Sequence, residues 1–122
     1  MGSHPINLAA RFLLELMVLI STGMWGLRQT DSWLKFAMAI GIPLVLAMTW
    51  GIFAVPDDPS RSGAAPIAVP GILRLIIELG IFSIGVWAIS DLDYPIVSLV
   101  LGIAVLIHYA VSYDRIAWLF EH

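Results

Sequence analysis

Four stretches of this chain, from about Leu8 to Leu27, Leu34 to Val55, Gly71 to Ser90 and Ile96 to Tyr113, are each apolar for close to the length of a bilayer crossing. A hydrocarbon core about 30 Å thick calls for about 20 mostly apolar residues per helix, and a helix is the form in which a single segment satisfies its own backbone away from water. Apolar side chains occupy every face of the central turns, as expected where a helix meets lipid as well as its neighbours. A water-soluble fold is a poor alternative: in 122 residues that are 60% hydrophobic and 12% charged, too little interior exists to hide so much apolar surface. The expected fold is all-α, a polytopic membrane protein with four transmembrane helices in a single domain spanning residues 1–122.

The connections divide those helices into two hairpins. Arg28–Ser32 and Asp91–Pro95 are short and polar, so each joins neighbouring antiparallel helices. The middle connection is longer, with Pro56, Pro59, Pro66 and Pro70 around Asp57-Asp58 and Ser60-Arg61-Ser62-Gly63. Both hairpins open alike, with Arg11-Phe12-Leu13-Leu14-Glu15-Leu16 in one and Arg74-Leu75-Ile76-Ile77-Glu78-Leu79 in the other. Trp25 and Trp87 then follow at similar distances, and Gly41 and Gly102 stand at comparable depths, so residues 8–55 and 71–115 read as a duplicated hairpin. Each copy crosses twice, which makes this a parallel repeat with its pseudo-two-fold axis along the membrane normal.

Basic residues flanking a span resist translocation and set orientation. Arg11, Arg61, Arg74 and Arg115 share the side of the termini and the central loop, against Arg28 and Lys35 opposite, which predicts cytoplasmic termini. Trp25, Trp33 and Trp118 lie near span ends as expected interface anchors. Gly41, Gly80, Gly85 and Gly102 are expected at close helix approaches, and Pro43 is expected to kink the second helix and free a carbonyl.

The polar residues converge on the cytoplasmic end. Arg and Glu four apart share a helix face, so Arg11 with Glu15 and Arg74 with Glu78 form two matched pairs at one depth. The fourth helix adds His108, Tyr109, Ser112, Tyr113, Asp114 and Arg115, with His108, Ser112 and Arg115 on one face, and Thr49 and Trp50 lie at a similar level. Ionisable groups in a span are expensive and usually pair inward or line water. Arg11, Glu15, Arg74, Glu78, His108, Tyr109, Ser112, Asp114 and Arg115 are therefore the candidate ligand-binding residues. Arg11, Glu15, Arg74, Glu78, Asp114 and Arg115 also suit a purely structural ion-pair network that closes the bundle.

Several classes are excluded or unsupported. The chain has no cysteine, and no second histidine stands at metal-binding spacing from His108, so no metal or cofactor is expected. Its six basic residues are scattered, which argues against nucleic acid. His108 with Ser112 lacks a nucleophile setting. The first span lacks the basic prelude and cleavage pattern of a signal peptide and reads as a retained helix, while Met1-Gly2-Ser3-His4 has the look of a vector remnant.

The segments Pro5–Leu16, Gly41-Ile42-Pro43 and His108-Tyr109-Ala110-Val111-Ser112-Tyr113-Asp114-Arg115, in that order and spacing, resemble the YrdB-like family of small bacterial membrane proteins along nearly the whole chain. The resemblance implies a four-helix protein of the bacterial cytoplasmic membrane, in a functionally uncharacterised family, and supplies no catalytic residue. Three functions fit. The first is solute binding or transport by a homo-oligomer among membrane lipids, with a small amphipathic or ionic ligand in the polar vestibule. The second is an intramembrane enzyme acting on a lipophilic substrate, with Glu15, Glu78 or Asp114 as general acid or base and Tyr109 or Tyr113 orienting the substrate. The third is a structural or accessory subunit of a larger complex.

Overall fold

The computed structural model describes residues 5–56 and 66–122. Met1–His4 and the central-loop residues Asp57, Asp58, Pro59, Ser60, Arg61, Ser62 and Gly63 lie outside the described residues. Among the described residues five helices follow one another: α1 (Pro5–Leu27), α2 (Leu34–Ile52), α3 (Gly71–Asp91), α4 (Pro95–Val111) and α5 (Tyr113–Glu121). Phe53–Ala54 and Ile67–Ala68 form a two-residue parallel pairing, β1 with β2, that brings the ends of the central connection together.

Helices α1, α2 and α3 are each long and apolar enough to cross a membrane. Helix α4 is equally apolar but has 17 residues, and it bends by 67° into α5. The sequence predicted one helix to Tyr113; the chain instead breaks at Ser112, whose φ of −94° and ψ of 29° leave the helical region. The second span likewise stops at Ile52, where Phe53 turns extended, before the expected end at Val55. Punctuation elsewhere follows local chemistry. Pro70, with ψ 153°, precedes the first turn of α3, Pro95 occupies the first turn of α4 where its missing N–H costs nothing, and Asp93 takes a left-handed φ of 67° between them.

Helices α1 and α3 run side by side in the same sense. Val18 meets Gly85 midway, and at the far end Trp25 Nε1 donates to Asp91 Oδ2 at 2.7 Å while Arg28 Nη1 donates to the Leu92 carbonyl. Trp25 also packs on Trp87 with ring centroids 5.4 Å apart, so it is a helix-to-helix contact in addition to any interface role. Helix α2 lies antiparallel against α1 with no fully buried residue, and α4 lies antiparallel against α3, where Ser98 Oγ donates to the Val86 carbonyl at 2.7 Å. The shared core gathers Leu14, Val18, Phe82, Leu101, Val105 and Tyr109.

Glycines mark the closest approaches, but not all of those expected. A Cβ on Gly85 would meet the Val18 side chain at 2.7 Å, as predicted, whereas Gly41 and Gly80 face open space and Gly102 makes only ordinary contact. Helices α1 and α2 cross closely at Gly26, where a Cβ would lie 2.8 Å from the Met38 backbone. Proline 43 leaves the Ala39 carbonyl without its helical N–H partner, and that oxygen packs against Gly23. Replacing Gly26 by Ala must push α1 and α2 apart, an overpacking cost of about 1–3 kcal/mol. We expect Gly26→Ala to lower the thermal unfolding midpoint in detergent by several degrees and Gly80→Ala to leave it unchanged, measured by circular dichroism.

Candidate functional site

Glu78 is fully buried in α3, and each of the five described helices reaches it directly or through one intermediary. Arg74, one turn earlier on the same helix, donates Nε to Glu78 Oε2 at 2.8 Å. Arg11 of α1 brings Nη2 to Glu78 Oε1 at 2.8 Å. Tyr109 of α4 donates its hydroxyl to Oε1 at 2.8 Å, and Arg115 of α5 donates Nη2 to Oε2. Helix α2 joins through Arg74, whose Nη1 donates to the carbonyls of Trp50 and Phe53. Those carbonyls belong to the end of α2, where helical partners have run out and the dipole favours a cation.

The bend at Ser112 makes this convergence possible. It turns α5 back under the bundle, so that Arg115 reaches Glu78 and Leu119 packs on Gly71, where any Cβ would strike the Leu119 backbone. Helix α5 is thus a closing element.

Glu15 has a different setting from Glu78, although their sequence contexts match. Among the described residues it receives only Arg11 Nε, at 3.2 Å, and its side chain is 25% exposed against 0% for Glu78. It opens onto a cavity of about 180 Å³ between α1, α2 and α3, walled by Val18, Leu19, Leu46, Ala47, Trp50 and Ile81. Glu15 is the one charged residue in that lining. A larger groove of about 700 Å³ lies between α3 and α4, and no charged side chain lines it.

The other predicted residues divide by position. Ser112 is buried and takes the amide Nδ2 of Asn7 at 2.7 Å, which fixes the start of α1 against the α4–α5 corner. One turn deeper on both helices come Arg11 and His108, each buried, with Arg11 Nη1 and His108 Nδ1 making no hydrogen bond among the described residues. His108 packs edge-on against Tyr109, which in turn packs on Phe82. Asp114 and Tyr113 are exposed at the start of α5. Of the neighbours, Thr49 bonds back to Val45 within its own helix, while Trp50 carries the guanidiniums of Arg11 and Arg74 over its ring at 5.2 and 5.0 Å. Asn7 and the α2 carbonyls were not foreseen. A polar amide one turn before Arg11 in an apolar helix was the available signal for the first; backbone acceptors leave no trace in sequence. No cluster of His, Asp or Glu able to hold a metal occurs among the described residues.

A family model described as "Protein of unknown function (DUF2568)" matches residues 9–120. The chain belongs to this family. It is also 41% identical over 116 residues, 95% of its own length and 94% of the relative's, to the uncharacterized protein YrdB of Bacillus subtilis (strain 168). No solved structure matches the chain.

Removing the Glu78 charge leaves three arginines facing a neutral group in a closed interior, and breaking such buried networks costs about 3–5 kcal/mol. We expect Glu78→Gln to abolish or severely lower the folded yield in detergent, and Tyr109→Phe to destabilise by about 1–3 kcal/mol through the lost bond to a charged acceptor. Glu15→Gln should purify like the wild type. Size-exclusion chromatography and thermal unfolding of the three variants check this ordering.

Proposed function

We propose that this chain is a four-crossing protein of the bacterial cytoplasmic membrane that binds, and as a homo-oligomer transports, a small solute at Glu15. The observation that carries the reading is the opening of Glu15 onto a partly open, largely apolar cavity between α1, α2 and α3. The Glu78 cluster holds the helices around that cavity and does not itself take the solute, since its carboxylate oxygens are already engaged by three arginines and Tyr109. In this reading α4 supplies the fourth crossing: its 17 residues span about 25 Å at 1.5 Å per residue, and α5 then lies near the membrane surface.

Duplication of the hairpin is supported by the matched Arg-Glu spacings and by α1 and α3 running in the same sense, and the excess of arginine favours cytoplasmic termini. An enzyme using two equivalent carboxylates finds less support, because Glu15 and Glu78 are not equivalent in exposure or partners.

The absence of cysteine makes orientation testable on a clean background. A Thr30→Cys variant should be labelled by a membrane-impermeant maleimide in intact cells, and a His122→Cys variant only after permeabilisation; the reverse pattern overturns the orientation. For the function, cells expressing the wild type should differ from cells expressing Glu15→Gln in accumulation of amphipathic solutes. Identical accumulation across a broad solute panel contradicts solute transport at this site.

A further inference from the structure

The cavity at Glu15 also constrains what kind of solute it accepts, and the inference rests on the reading of that cavity as a binding site. We propose that the ligand is a small organic cation, an alkylammonium or compound of similar size, whose charged head meets the Glu15 carboxylate and whose hydrocarbon part occupies the apolar walls.

The sign of the charge follows from where the arginines point. Three guanidiniums stand near this end of the bundle, but Arg74 and Arg115 are committed to Glu78, and Arg74 also to the Trp50 and Phe53 carbonyls. Arg11 divides itself between the two carboxylates, with a shorter contact to Glu78 at 2.8 Å than to Glu15 at 3.2 Å. An ammonium arriving at Glu15 therefore competes against the weaker of two contacts, and Arg11 keeps Glu78 when displaced. An anion entering the same cavity meets a carboxylate and no facing cation in the lining. A neutral solute leaves the Arg11–Glu15 contact in place and gains no charge interaction with the carboxylate.

Size follows from the volume. At about 180 Å³ the cavity is small for a ligand site, which suits a compact solute. Drug-sized ligands need about 300–1,000 Å³ and do not fit without rearrangement. The Trp50 ring already carries two guanidiniums, so it serves as a wall and leaves recognition of charge to Glu15. A further consequence is selectivity against large lipophilic cations.

The test uses the full chain in lipid nanodiscs, with radiolabelled pentylamine, pentanol and pentanoate as probes and empty nanodiscs subtracted. Ala47 lines the cavity without touching the ion pairs, so Ala47→Phe fills the site and Glu15→Gln removes its charge. The expected result is saturable binding of pentylamine at neutral pH, at least tenfold tighter than pentanol or pentanoate, weakened at least tenfold by Glu15→Gln and lost in Ala47→Phe. Saturable binding that Ala47→Phe removes but that does not prefer the amine, or that Glu15→Gln leaves intact, overturns the cation assignment and keeps the cavity as a site. No binding of any probe that Ala47→Phe alters overturns both. If Glu15→Gln does not purify as a monodisperse species, the preference among the three probes on the wild type decides.

Discussion

A single carboxylate with no solvent exposure organises one end of this bundle. Glu78 accepts hydrogen bonds from α1, α3, α4 and α5, and Arg74 extends the same assembly to the end of α2. A charge in the interior of a membrane-spanning bundle is tolerable only when partners replace its lost hydration, and the partners here come from helices far apart in sequence. The carboxylate therefore fixes which helices meet and at what depth. Much of the rest depends on that choice: the parallel course of α1 and α3, the fold-back of α5, and the level of the Glu15 cavity.

Arg11 links the closed part of the site to the open part. It touches Glu78 and Glu15 and carries its guanidinium over Trp50, while Asn7 one turn earlier bonds to Ser112. A solute that took Glu15 away from Arg11 would act on the residue that joins α1 to the network. Under the proposed reading, binding at the cavity would be coupled to the packing of the bundle end through one side chain, with no need for a long pathway.

Hydropathy made the apolar helices legible, because a run of about 20 apolar residues has few other uses. The Arg-Glu spacing was equally legible and put Arg11, Glu15, Arg74 and Glu78 at one end of the chain's helices. Sequence could not say that these two carboxylates have different fates. That difference depends on Arg115 and Tyr109 approaching Glu78 across more than thirty positions, and on a bend at Ser112 that no proline or glycine announces. The glycines tell the same story: Gly26 and Gly71 matter because of Met38 and Leu119, which are partners in space, whereas Gly41 and Gly80 have none.

The central claim is the inequality of the two glutamates, and carboxyl-specific labelling tests it most directly. The protein in lipid vesicles is treated with dicyclohexylcarbodiimide, an apolar reagent that enters membranes and reacts with accessible carboxyl groups, and the adducts are mapped by peptide mass spectrometry. The account predicts modification at Glu15 with Glu78 untouched. Modification of Glu78 to the same extent as Glu15, in protein that remains folded, would contradict it.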